Sequence, residues 1–353
     1  MRRYAMAPTV GTTRPNDNGQ ASALAQQLRQ QILTRGPMKF SAWMHACLYG
    51  PAGYYMRDHR KTGPGPDADF ATSPTLHPFL AECVAREIAA TWRELEQPMQ
   101  VIEFGGGAGD LCRDALRYLH EHDPHCLQAI EWIHIEASPY HRQLQANAPK
   151  NVSWMDEMPV VAAGFVIAHE FLDALPVDMA QRVAGKWVEM LVGPQGWMAE
   201  AELPLPDEAE NGDWMPMPAA ADAWCDIVKS NLQSGRVLVV DYGGVEPWRH
   251  ASMGTLRTFR AQQDGGSPLT EPGEKDITAS IDFQRLARAM APWSTDFVIT
   301  QEEWLLRHGI LDALNGTDRS TKRGASEYLR LRQLLLPTGL GAAFKVARFS
   351  PCL

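Results

Sequence analysis

Val101-Ile102-Glu103-Phe104-Gly105-Gly106-Gly107-Ala108-Gly109-Asp110 is the stretch that decides how this chain folds. A short run of strand character breaks into a glycine cluster, and Leu111–Leu119 then takes up the apolar spacing of a helix. Strand, glycine turn and helix in that order open a βα unit. In open α/β sheets the ligand lies beyond the carboxyl ends of the strands, where the strand order reverses, so this turn is a candidate ligand loop. Glycines let the main chain turn tightly and approach a ligand with no Cβ in the way. A dinucleotide loop needs G-x-G-x-x-G, and counting from Gly105 and Gly107 the last position falls on Asp110. The spacing disfavours NAD and FAD.

Working outward, apolar residues from His77 to Leu95 recur at helical spacing, and Gln97-Pro98 stops that helix before the strand at Gln100–Phe104. Strands are predicted at Trp132–Ile135, Phe165–Ala168, Val237–Val240, Phe297–Gln301 and Ala342–Phe349. Helices are predicted at Tyr140–Ala146, Trp224–Gln233, Ile281–Met290 and Ala325–Leu336. This alternation implies an α/β fold with a mostly parallel, seven-stranded, Rossmann-like sheet and right-handed crossovers. Residues 1–20 read as a disordered N-terminus, 21–98 as a helical annex and lid, and 99–350 as the ligand-binding domain. Two insertions interrupt that domain. Residues 177–203 alternate around Gly-Lys and Pro-Gln-Gly turns and predict a β-hairpin, while 242–280 is a long glycine-rich segment. The loop Glu121–His125 carries two of three clustered histidines, His120, His122 and His125, and reads as polar surface rather than metal site.

Composition narrows the function classes. The chain has 353 residues, 45% hydrophobic and 21% charged, and a net charge of −9. That balance argues against broad attachment to nucleic acid, which needs a cationic face, and favours a basic substrate or partner. Six cysteines without C-x-x-C spacing suggest neither a zinc site nor a disulfide framework. No run approaches the roughly 18 apolar residues of a membrane span, so no membrane insertion is expected. A cytoplasmic location is the expectation. Arg2, Arg3 and Arg14, with no acid in residues 1–16, leave a mitochondrial targeting segment as the alternative. The oligomeric state, monomer or homodimer, is left open.

The glycine loop has the form acid-x-Gly-x-Gly-x-Gly, a spacing familiar in class I methyltransferases, whose cofactor S-adenosylmethionine has no pyrophosphate to place. Glu103, Gly105, Gly107 and Gly109 are therefore the candidate cofactor residues. Glu136 ends the second strand, where a carboxylate can accept hydrogen bonds from both ribose hydroxyls. A tight turn without ligand and a solvated strand-end acid are the plainer readings of the same residues. The segment Gly53–Pro74, dense in glycine, proline and aromatics, either closes over the cofactor, with Tyr55, Thr72 and Ser73 as contacts, or packs the annex.

Other motifs extend the pattern: Tyr49-Gly50-Pro51-Ala52-Gly53-Tyr54-Tyr55, Asp69-Phe70-Ala71-Thr72-Ser73-Pro74, Glu136-Ala137-Ser138-Pro139, His169-Glu170-Phe171-Leu172-Asp173-Ala174-Leu175-Pro176, Asp241-Tyr242-Gly243, Gly254-Thr255-Leu256-Arg257 and Pro272-Gly273-Glu274-Lys275-Asp276-Ile277-Thr278. In this order, from about Met38 to Phe349, the chain resembles the MidA family, the mitochondrial complex I assembly-factor type of protein arginine methyltransferase with its bacterial relatives. The resemblance implies an arginine-bearing protein substrate, in relatives of this type a subunit of respiratory complex I. The chain departs from the family's usual forms at Ala68, Thr75, Gly106 and Gln262. Those at Thr75 and Gln262 keep a small-molecule or peptide natural-product methyltransferase in view, and a non-catalytic cofactor-binding assembly factor is the third reading.

An arginine acceptor is cationic and needs carboxylates to orient it and receive its proton. Glu170 and Asp173, three residues apart after the fourth strand, are the candidate catalytic acids. They would otherwise be the N-terminal acids of a helix. Asp241 either binds substrate or caps the turn at Tyr242-Gly243, and Arg257 either binds substrate or makes a structural ion pair.

Overall fold

Residues 23–56, 76–146, 151–205, 210–249, 251, 253–260, 263–336 and 340–352 are described by a computed structural model. The chain divides into two units, one formed by Lys61–Asp173, Ala221–Glu246 and Ser280–Leu353, the other by Met1–Arg60, Ala174–Ala220 and Pro247–Ala279.

The first unit carries the central sheet. Its strands in chain order are β1 (Met99–Phe104), β2 (Ile130–Ile135), β3 (Val152–Met155), β4 (Gly164–His169), β5 (Gly235–Gly244), β6 (Ser294–Thr300) and β7 (Phe344–Ser350). Across the sheet they lie in the order β3-β2-β1-β4-β5-β7-β6, and the two-residue strand Ile281–Asp282 adds to the end of β5. The strands β1 to β5 pair in parallel, and β7 runs antiparallel to both of its neighbours. The sheet is mostly parallel and seven-stranded as expected, although Val152–Met155 is not among the predicted strands. The chain builds outward through β1, β2 and β3, then crosses back to place β4 on the other side of β1. The switch in strand order therefore lies between β1 and β4.

Burial explains why these segments become central strands. Every residue of β4 is buried, and β1 departs only at Gln100, the continuous burial expected of strands covered by helices on both faces. Val101, Phe165, Ile167, Leu238 and Val240 meet the helix Phe79–Leu95 and the helix Asp110–His122 in one core. The helix Phe79–Leu95, grouped by its position with the N-terminal annex, thus packs in the sheet's own core. Register keeps the strand ends level: Phe104 of β1 stands opposite Ile135 of β2 and Ala168 of β4, and His169 stands opposite Val240 of β5. The turns leaving those strands therefore emerge along one edge.

Local differences from the sequence reading have simple causes. The loop expected at Glu121–His125 is helical on both sides of Asp123: the Asp123 side chain accepts the N–H of Cys126, and Pro124 opens a second helix, Pro124–Ala129. The helix expected from Ile281 starts at Phe283, where Asp282 caps it, and the strand expected from Ala342 starts at Phe344 after a short helix, Leu340–Ala343.

The second unit is largely antiparallel. The predicted hairpin is there as Asp178–Val183, Lys186–Gly193 and Gly196–Leu203, but Trp214–Met217 and Met38–Lys39 extend it to five strands. The segment read as a glycine-rich insertion contains a further sheet of Leu256–Arg260 with Gln263–Asp264 and Asp276–Ala279. No helix among the described residues is long and apolar enough to cross a membrane.

Candidate functional site

The glycine loop leaves β1 at the switch point. Gly105, Gly107 and Gly109 all take left-handed φ, at 65°, 53° and 81°. The Gly105 N–H donates to Ile135 O at 3.0 Å, tying the loop to the end of β2, and Gly109 N–H donates to Gly106 O at 2.9 Å to close the turn. A Cβ on Gly106 would sit 2.6 Å from His134 Nδ1, so this position is glycine because a histidine ring occupies the space. A Cβ on Gly107 would meet nothing within 4 Å. That glycine faces open space, as a ligand cradle requires.

Two residues without a sequence signal hold the loop from behind. Gln145 Nε2 donates to Gly107 O at 2.7 Å, and Trp154 Nε1 donates to Gln145 Oε1 at 2.7 Å. A lone glutamine on a short helix has no pattern to announce it.

Glu103 is buried beneath the loop. Its Oε2 accepts Trp132 Nε1–H at 3.0 Å and lies 3.3 Å from His134 Nδ1, out of line for a hydrogen bond. Burial pushes the Glu103 carboxyl up to about 8 and the His134 imidazole down to about 4. Glu103 thus forms the floor of the loop, with Cys112 and His134 beside it.

Glu136 comes directly after β2 at the same edge and is 6% exposed. Its Oε1 accepts the Ser138 N–H at 2.8 Å. Ser138 in turn caps the helix Pro139–Gln145 by accepting the His141 N–H. Glu136 Oε2 is buried without a hydrogen bond, its ion-pair neighbour His141 Nδ1 standing 3.7 Å off. A buried carboxylate oxygen with no donor fits a ligand that brings hydroxyls.

After β4 the chain makes a tight turn. Glu170 adopts φ 49°, a conformation uncommon for a residue with a side chain, while its N–H donates to Val240 O at 2.9 Å. The Phe171 ring lies against Gly105, Phe104 and Trp224, which brings this turn to the glycine loop. Glu170 is half-buried and Asp173 buried. Asp241, at 0% exposure, accepts the backbone N–H groups of Leu172 at 2.9 Å, Asp173 at 3.3 Å and Tyr242 at 2.8 Å. Burial pushes its carboxyl up to about 7 against those donors. Its oxygens are spent on holding the Glu170–Asp173 turn as well as the turn at Tyr242.

The remaining candidates lie apart from this edge in the chain. Tyr55 and Arg257 belong to the second unit. The Tyr55 hydroxyl donates to Asp276 Oδ1 at 2.7 Å, and Arg257 is exposed between buried Leu256 and Thr258 on its strand. Thr72 and Ser73, with Ala68, Thr75 and Gln262, lie outside the described residues.

Comparison with known proteins bears on this geometry. The family model described as "Putative S-adenosyl-L-methionine-dependent methyltransferase" matches residues 83–297. A Drosophila melanogaster protein arginine methyltransferase NDUFAF7 homolog is 29% identical over 76% of this chain and 70% of its own length. The Xenopus laevis protein arginine methyltransferase NDUFAF7 is 28% identical over 85% and 77%. A crystal structure from Burkholderia thailandensis, bound to S-adenosyl-homocysteine, superposes with a TM-score of 0.81 at 29% identity, covering 93% of this chain and 92% of that one. The cofactor is S-adenosylmethionine, and the fold is that of a class I methyltransferase. A glycine loop at the switch point, an acid closing the next strand and a family model spanning both place this chain in the MidA/NDUFAF7-like family of S-adenosylmethionine-dependent methyltransferases.

Proposed function

We propose that the protein is an arginine N-methyltransferase acting on a protein, with a subunit of the respiratory complex I type as its acceptor. The observation that carries this reading is the acidic turn Glu170–Asp173, which leaves β4 at the switch point with Phe171 packed on Gly105. The relatives at 26–29% identity, named as protein arginine methyltransferases, support the arginine acceptor.

The cofactor supplies a methyl group on a sulfonium, already activated, so the chain's own work is to align an acceptor and exclude water. Gly105, Gly107 and Gly109 would shape the cradle, and Glu136 would accept the ribose hydroxyls. Thr72, Ser73 and Tyr55 are proposed for the amino-acid end. A guanidinium is planar, cationic and protonated at neutral pH, and carboxylates hold it best with parallel charge-assisted hydrogen bonds. Glu170 and Asp173 would take that part, with Glu170 placed to receive the proton that the acceptor nitrogen gives up on methylation. Asp241 keeps their backbone in place rather than meeting the substrate, and exposed Arg257 would contact an acidic stretch of the protein acceptor.

The test compares arginine methylation across the proteome of cells with and without the gene. The reading expects methylarginine to disappear from a complex I subunit in the deletion strain and to return with the wild-type gene but not with Glu170→Ala. An unchanged arginine methylation pattern would sink it.

A further inference from the structure

We infer that His169 is a positioning residue for Glu170, holding the Glu170 carboxylate through one hydrogen bond from its Nε2; this rests on the reading of Glu170 as the acid that orients the acceptor. The ring belongs to the last residue of β4 and is 9% exposed. Its Nε2 is buried and makes no hydrogen bond, and Glu170 Oε1 stands 3.5 Å from it. Buried polar atoms are almost always satisfied, so a nitrogen this close to a carboxylate oxygen identifies its partner. A shift of well under about 1 Å in the glutamate side chain brings the pair to hydrogen-bond length.

The ring has little freedom to look elsewhere. It lies parallel to Phe344, with centroids 6.5 Å apart and planes at 6°, and Phe344 is itself covered by Tyr242 at 3.8 Å. Glu170 is equally constrained, its backbone bent to φ 49° and pinned by the hydrogen bond to Val240 O. Burial keeps the imidazole neutral, so one ring nitrogen carries a hydrogen and the other a lone pair. The ring has two acceptors to choose between, its own backbone carbonyl and the Glu170 carboxylate, and the charged one is the stronger, so the hydrogen belongs on Nε2. Labour is then divided at this turn: Asp241 holds the backbone from Leu172 to Asp173, and His169 aims the side chain of Glu170.

Two measurements test the pair. In ¹⁵N-histidine-labelled protein saturated with S-adenosyl-homocysteine, NMR should find His169 protonated at Nε2, with a resonance that moves on Glu170→Ala. An Nδ1–H tautomer indifferent to Glu170→Ala would overturn the inference. For activity, the probe is the lysate of cells lacking the gene, with incorporation of labelled methyl into methylarginine as readout. His169→Phe keeps the stack on Phe344 without the nitrogen and should slow incorporation by about tenfold to a hundredfold with cofactor affinity unchanged. His169→Gln, which returns an N–H near the same place, should recover most of the rate. Wild-type rates in His169→Phe would also overturn the inference. If the wild-type enzyme labels no arginine at all, the arginine reading fails, and the NMR decides the pair alone.

Discussion

Asp241 Oδ2 accepts the backbone N–H of Leu172 at 2.9 Å, joining the end of β5 to the turn after β4. The same oxygen takes the N–H of Asp173, and Oδ1 takes that of Tyr242. Three main-chain donors thus converge on one buried side chain whose two oxygens, when ionised, only accept. Asp241→Asn replaces one of those oxygens with a donor facing a donor. The expected cost is about 1–3 kcal/mol of stability, the penalty for stranding a buried polar group. Turnover should fall further than unfolding accounts for, because the turn carrying Glu170 and Asp173 loses its anchor. Thermal melts and turnover measured below the melting transition check both parts.

The stability of the fold should depend on pH in two opposite senses. Glu103 is pushed up to about 8 and Asp241 to about 7 by burial. Groups whose folded pKa is raised favour folding most below their unfolded pKa, near 4, and that contribution is lost as pH rises through 7 and 8. His134 and His169 are held down near 4, so their contribution is full above about 6.5 and is lost as pH falls toward 4. Glu103→Gln keeps an acceptor for Trp132 and removes a carboxyl that ionises on the alkaline side. Between pH 6 and pH 9 its melting temperature should fall less than that of the wild type. An equal fall in both proteins would show that Glu103 does not titrate in this range.

How far the fold and site were legible depends on whether a residue's role leaves a pattern along the chain. The loop Gly105–Gly109 did, because left-handed turns demand glycine and the spacing of the demand is fixed. The alternation of strands and helices did too, since β1 and β4 are apolar runs between helical repeats, whereas β3, four residues of which only Val152 is buried, was not predicted. The five-stranded antiparallel sheet was only partly visible: Met38–Lys39 is two residues long, and Trp214–Met217 contains Pro216, which argues against a strand when neighbours are unknown. Asp123-Pro124 was a helix start, an acid cap with proline after it, hidden among polar histidines. Asp241 could be read equally as ligand or cap until its three donors were seen. Gln145 and His134 act only through tertiary contact, on Gly107 and under Gly106, and no local pattern marks them.

Gly106 and Gly107 are neighbours with different reasons to be glycine, and alanine at each should separate them. At Gly106 the new Cβ meets His134 Nδ1 at 2.6 Å, so the histidine or the loop must move. Gly106→Ala should cost about 1–3 kcal/mol, the usual range for overpacking a tight site. At Gly107 the Cβ enters open space, and only the left-handed φ is penalised, by about 1–2 kcal/mol. Gly107→Ala should nonetheless be the poorer binder if this loop is the cofactor cradle, because its methyl group enters the open space beside the loop. Melting temperatures of the free proteins and calorimetric titration with S-adenosyl-homocysteine make the comparison. Stronger binding loss in Gly106→Ala than in Gly107→Ala would reverse the assignment of the cradle.

Glu136 offers the sharpest test of the cofactor site, because its two oxygens have different tasks. Oε1 is engaged by the Ser138 N–H that shapes the start of the helix Pro139–Gln145, whereas Oε2 is buried with no donor. Glu136→Gln keeps an amide oxygen for Ser138 and loses the charge that a ribose diol would bind. The free protein should therefore melt close to the wild type. Affinity for S-adenosyl-homocysteine should fall by about 1.5–3 kcal/mol, the worth of a hydrogen bond to a charged group, or roughly tenfold to a hundredfold in Kd. Glu136→Ala gives up the Ser138 contact as well and should lose stability in addition to affinity. If Glu136→Gln binds as tightly as the wild type, Oε2 is not the ribose acceptor, and the acid serves the helix start alone.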